Sequence, residues 1–137
     1  MRIMALDVGD RRIGVALSDP LLLMASPLTA IVRRTLSADI DAILRLASEN
    51  EIGDIVVGVP ISLLGRKGPQ AQTCLAFAKA LSQQAPVPVH THDERFSTFE
   101  AERRLRDAGA KPSRDKGRVD AAAAAVILQG YLDKRRR

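Results

Sequence analysis

Four acidic residues stand where carboxylates are costly. Asp7 lies near the end of the apolar run Arg2 to Val8, directly before Val8-Gly9. Asp93 and Glu94 follow the run Val87 to His92, and Asp120 opens a stretch of Ala, Val, Ile and Leu. A carboxylate in apolar surroundings loses solvation unless a cation or hydrogen-bond donors compensate. Three of them also have a plain structural reading: Asp7 bonded to the Gly9-Asp10 turn, Asp93 at a helix entry, Asp120 relieving the free N–H groups of a first helical turn. As a set they suit a hard divalent cation, since Mg²⁺ takes one or two carboxylates plus waters and phosphate oxygens. Two such ions about 4 Å apart can activate a water and stabilise the leaving oxygen of a phosphodiester.

Cations stand beside these acids. Lys111, Arg114, Lys116 and Arg118 precede Asp120 and could hold a phosphate backbone next to it. Arg11 and Arg12 follow Asp7, and Arg95 follows Glu94, completing the cations expected against nucleic acid. His90 and His92 are spaced to share one face of a strand. Zinc is a poor reading of that pair, because the lone Cys74 leaves it short of nitrogen and sulfur ligands.

The elements must bring together residues far apart in the chain. Arg2–Val8 and Ile13–Leu17, joined at Gly9-Asp10, read as a β-hairpin, with Leu28–Val32 a third strand after the Pro27 break. Strand alternation puts Asp7 on the face of Ile3 and Ala5. Ile40, Ile43, Leu44 and Ala47 recur at helical spacing behind Ser37. Ile55–Val59 has the β-branched composition of a strand buried on both faces, and residues 61–69 read as a loop. Cys74, Phe77, Ala78 and Leu81 mark a second helix. Val87–His92 is a fifth strand, whose Pro88 suggests an edge or a strand start. Ser97 and Glu100 form a capping box for a helix that Gly109 can close. The last helix spans about Val119 to Lys134, and its Ala121–Leu128 segment is apolar on nearly all sides, so it should pack inside. A meander followed by alternating strands and helices predicts an α/β fold with a mixed sheet flanked by helices.

The 137 residues fit one domain, residues 1–137, with about 134–137 as a basic tail. A composition of 46% apolar and 27% charged residues excludes a disordered or fibrous chain. The single cysteine excludes an internal disulfide. No apolar run is long enough for a transmembrane helix, and an acid at position 7 does not suit a signal peptide, so a soluble, cytoplasmic protein without a membrane partner is expected. Residues 1–100 carry 10 Lys and Arg against 11 Asp and Glu, whereas residues 101–137 carry 11 against 5. That concentration of cations points to a polyanion, with a solvated basic helix as the plain alternative.

Four segments together resemble the YqgF family, the Holliday-junction-resolvase-like proteins of the ribonuclease H-like superfamily. They are Leu6-Asp7-Val8-Gly9-Asp10-Arg11-Arg12-Ile13-Gly14-Val15-Ala16, then Ile55–Pro60 with Gly65 and Gly68-Pro69, then Asp93–Thr98, then Lys116–Ala123. The resemblance covers essentially the whole chain. It implies a ribonuclease H-like fold with a five-stranded sheet, its first three strands antiparallel. It also implies Asp7, Glu94 and Asp120 as a catalytic, metal-binding triad for Mg²⁺ or Mn²⁺, with Asp93 a substitute for Glu94. The implied activity is two-metal endonucleolytic processing of the 5′ end of precursor 16S rRNA, with resolution of four-way DNA junctions as a minority assignment. Arg11 stands where the family often has Lys, and Leu63-Leu64 make a usually polar loop stickier, a hint of a partner or dimer contact.

Two other readings compete. Asp7-Val8-Gly9 with Gly14 and Ala16 also resembles the phosphate hairpin of actin-like and sugar-kinase ATPases, which need two related domains that 137 residues do not supply. A non-catalytic RNA-binding assembly factor fits the basic quarter but gives no reason for Asp7 or Glu94. With 3 Phe, 1 Tyr and no Trp, base stacking is poorly provided for, so recognition should lean on shape and phosphates. A monomer and a homodimer both stay open, although symmetric cutting of a junction needs two sites.

Overall fold

The computed structural model describes residues 1–61, 65, 67–94 and 116–136. Its five strands are β1 (Arg2–Val8), β2 (Arg12–Ser18), β3 (Ala25–Val32), β4 (Ile52–Val59) and β5 (Val89–Asp93). They form one sheet in the order β3-β2-β1-β4-β5. The first three pair antiparallel, and β4 and β5 join parallel to β1, as the hairpin and crossover patterns predict. Helices α1 (Leu36–Glu49), α2 (Pro69–Gln84) and α3 (Lys116–Arg135) complete the described elements. The capping-box helix expected from Ser97 to Gly109 lies outside the described residues.

Strand alternation divides the core in two. Met4, Leu6 and Val8 of β1 pack with Ile13, Val15, Ile40, Ile43, Phe77 and Leu81, on the side covered by α1 and α2. Ile3 and Ala5 pack with Ala16, Val56, Ala124, Ile127, Leu128 and Leu132 beneath α3. Each fully buried Ile or Leu contributes roughly 1.5–3 kcal/mol. The second face is floored by small residues, which brings α3 close to the sheet. Gly14 and Gly58 make that approach possible. A Cβ on Gly14 would stand 2.0 Å from the Asp120 carbonyl oxygen, and one on Gly58 2.5 Å from Ile127 Cδ1. At the other end of α3 the buried Gln129 accepts from the Ala25 N–H at 2.9 Å and donates to the Leu23 carbonyl at 3.2 Å.

The boundaries differ from the predicted ones for local reasons. β3 begins at Ala25 rather than Leu28, because an edge strand tolerates Pro27 and a bulge between Val15 and Ala16 absorbs the irregularity. α1 is capped by Thr35, whose hydroxyl accepts from the Ala38 N–H, so Ser37 falls inside the helix. α2 starts at Pro69, a proline in the first turn where no N–H is needed. β4 starts three residues earlier than expected, at Ile52, and β5 covers Val89–Asp93 at the sheet edge. α3 runs from Lys116 through Lys134 and Arg135, so the terminus expected as a tail is helical that far. No described helix is long and apolar enough to cross a membrane.

Candidate active site

Asp7 sits one residue before the end of β1, on the face that α3 covers. Across the hairpin it pairs with Gly14, and the Asp120 backbone rests on that same glycine. The missing side chain at position 14 therefore lets the first turn of α3 settle beside Asp7. Burial, and then the Asp120 charge, push the Asp7 carboxyl above its ordinary range. Glu94 directly follows β5, two strands away from β1 through β4. Burial pushes it up to about 7, with the charges of Asp7 and Asp93 adding to the shift. Asp7 thus feels the charge of Asp120, and Glu94 that of Asp7. On the opposite face of the sheet the buried Cys74 thiol is pushed up to about 11, chiefly by burial, then by Glu94 and Asp7, while Arg33 opposes them.

The cations are less evenly placed. Arg12 Nε donates to Asp120 Oδ2 at 2.5 Å, with the two side chains 30% and 29% exposed. Arg11 is exposed in the β1–β2 turn, and Arg118 is exposed in the first turn of α3. Lys116 begins that helix, but its side chain lies outside the described residues, as do Arg95, Lys111 and Arg114.

The donor set has the right chemistry for a hard cation: carboxylates, of which Asp7 and Glu94 are partly buried and resist ionisation without a counter-charge. Among the described residues, however, no three His, Cys, Asp or Glu side chains are gathered closely enough to hold a metal ion. Asp120 instead points an oxygen at Arg12. The two histidines serve elsewhere. His90 Nε2 lies 3.0 Å from Asp54 Oδ1, and both imidazoles pack against the Tyr131 ring. Burial and then Lys134 bring His92 down to about 4, so its ring is neutral at physiological pH.

One device near the site went unread in the sequence. Arg33 Nη1 donates to the Gly9 carbonyl at 3.0 Å, its Nε to the buried Asp39 at 3.2 Å, and its guanidinium lies over Phe77. Gln70 Nε2 reaches the Val8 carbonyl at 3.5 Å. These contacts pin the backbone just after Asp7 from the α1 and α2 side. The available signal was Arg33 itself, a cation directly after an apolar run.

The profile of the family described as RuvX, Holliday junction resolvase, matches residues 1–134. The chain belongs to the RuvX family. A relative from Anaeromyxobacter sp. (strain Fw109-5), named "Putative pre-16S rRNA nuclease", is 49% identical over 135 residues, covering 98% of each chain. Another of that name, from Moorella thermoacetica, is 47% identical over 134 residues, 98% of this chain and 96% of its own. Among solved structures, Thermus thermophilus RuvC superposes with a TM-score of 0.66 at 16% identity, covering 99% of this chain and 96% of that one. The fowlpox virus Holliday junction resolvase does so with 0.55 at 11%, covering 98% and 99%. At those identities the likeness shows the fold, and it is the ribonuclease H-like one. RuvX family membership and the relatives' names share nuclease chemistry.

Proposed function

We propose that the chain is a divalent-metal-dependent endonuclease whose substrate is structured precursor 16S rRNA. The observation that carries this reading is the seating of the Asp120 backbone on Gly14, the cross-strand partner of Asp7, with the Asp120 charge acting on Asp7 and the Asp7 charge on Glu94. The relatives' names support the RNA assignment.

Asp7, which feels the charge of Asp120 and acts on Glu94, would be a ligand together with Glu94 and Asp120, with Asp93 a substitute for Glu94. Bound Mg²⁺ or Mn²⁺, as one ion or two, would lower the pKa of a water and neutralise charge on the phosphate. The net reaction adds the water oxygen to phosphorus and breaks one P–O ester bond, with a proton passing to the departing oxygen. Asp7 on a strand and Asp120 on a helix are held by regular backbone, so little reorganisation of those two is needed. Arg11 and Arg118, exposed on either side, would hold flanking phosphates. Arg95, Lys111, Arg114 and Lys116 are assigned the same role.

The family's description favours a second substrate, the four-way DNA junction. The deciding assay presents precursor 16S RNA and a four-way junction side by side, with Mg²⁺ or Mn²⁺. We expect RNA to be cut faster, and Asp7→Asn to abolish cutting while leaving binding largely intact. Faster junction cutting would reassign the substrate. Equal cutting by wild type and Asp7→Asn would remove the triad, and binding without any cutting would favour an assembly factor.

A further inference from the structure

Arg12 and Asp120 are 108 residues apart in sequence, yet a hydrogen-bonded ion pair joins them across the hairpin and α3. Their meeting joins a residue expected to touch phosphate with one expected to touch metal. We propose that Arg12 is an exchangeable counter-ion: its guanidinium holds the Asp120 carboxylate until a divalent cation takes that oxygen, and the freed guanidinium then binds a substrate phosphate. This rests on the metal-nuclease reading above and adds an order and a coupling to it.

The geometry supports an exchange rather than a permanent strut. Arg12 lies two residues before Gly14 on β2 and so points to the α3 side, diagonal to Asp7. Both partners are about a third exposed, so water and ions reach the pair. An ion pair of that exposure is held weakly, and a dication taking the neighbouring carboxylates of Asp7 and Asp120 outbids it. The guanidinium loses nothing by moving, because its planar fork matches a phosphate as well as it matches a carboxylate. Without Arg12 the Asp120 charge would stand uncompensated beside Asp7, whose carboxyl already resists ionisation. Since metal releases the arginine and phosphate captures it, each binding event must strengthen the other by the same factor.

Two measurements on the full chain test the exchange. In the first, Mn²⁺ is titrated calorimetrically without nucleic acid into wild type, Arg12→Gln and Asp7→Asn. Arg12→Gln should bind Mn²⁺ roughly three- to ten-fold more tightly than wild type, because the competing cation is gone. Unchanged or weaker binding would overturn the exchange. If Asp7→Asn binds Mn²⁺ as wild type does, the metal site itself is wrong and the exchange falls with it. The second measurement uses a short RNA hairpin in EDTA. Asp120→Asn should bind it several-fold more tightly than wild type, and the double variant Asp120→Asn with Arg12→Gln should lose that gain. A gain that survives in the double variant would mean relief of simple charge repulsion, and would overturn the role of Arg12. The Asp120→Asn comparison stands even where Arg12→Gln alone fails to fold, with Arg12→Lys, which keeps the charge, replacing Gln in the double variant: there the gain should be largely retained, and its complete loss would overturn the proposal.

Discussion

Glu94 sets the pH behaviour of the site. Its folded-state carboxyl is pushed up to about 7 from an ordinary 4.5, and Asp7 is raised as well. Between pH 4.5 and 7 the folded chain therefore binds more protons than the unfolded one, so metal-free stability falls as pH rises through that window and stays reduced above it. Glu94→Gln should flatten this dependence and raise the melting temperature at pH 8 while removing cleavage, which thermal melts and the cleavage assay check together. A melt of Glu94→Gln that still weakens from pH 5 to 7 as wild type does would place the effect on another group. Protons and metal compete for the same oxygens, so Mn²⁺ affinity should strengthen from pH 6 to 8 and level off above. The acids were legible in the sequence because a carboxylate on an apolar strand or helix is anomalous. The partnership of Asp120 with Arg12 was not, since nothing local to position 12 signals a residue 108 places on.

At the scale of elements, the site depends on how low α3 rides over the sheet. Gly14 and Gly58 both permit the approach, but they differ in what a methyl group would strike. At position 14 it would meet backbone at 2.0 Å, and at position 58 the flexible end of Ile127 at 2.5 Å. Gly14→Ala should lift the first turn of α3, cost at least about 1–3 kcal/mol in denaturant melts and abolish cleavage. Gly58→Ala should cost less and recover when Ile127→Val is added. Equal penalties for the two would mean that the helix adapts by a common shift. Strand and helix types were readable from periodicity, because hairpin alternation and the 3.6-residue pattern are local. Boundaries at Ala25, Leu36 and Pro69 were less so: an edge proline, a threonine cap and a helix-opening proline each need the tertiary neighbour or the turn geometry to be recognised.

Over the whole molecule, charge is divided. The first 100 residues are nearly neutral, and the basic excess belongs to residues 101–137, much of it on or just before α3. The described part of that basic segment, α3, docks onto a nearly neutral sheet and carries Asp120 and Arg118 with it. Binding of structured RNA should weaken steeply with salt, with a log–log slope near −0.9 per phosphate contacted. Measured in EDTA by filter binding, Arg11→Ala should reduce that slope by about one without changing the melting temperature. A slope near zero for wild type would remove electrostatics as the basis of recognition. The mixed sheet flanked by helices was legible because the order of strands and helices is written in alternating periods, whereas its ribonuclease H-like character followed from the family resemblance. The two-sided division of the core followed from strand alternation alone.

Gln129 never meets substrate, yet it governs where Asp120 stands. Nine residues separate them along one rigid rod, roughly 13.5 Å of helix. The amide works like a set-screw at the far end of a shaft: its bonds to Ala25 and Leu23 fix both the rotation and the axial position of α3 against the sheet rim. Gln129→Leu would leave the buried Ala25 N–H without its acceptor and remove one of two donors to the Leu23 carbonyl, loosening that setting. The loss should be felt as catalytic misalignment at the opposite end, with kcat falling more than RNA affinity.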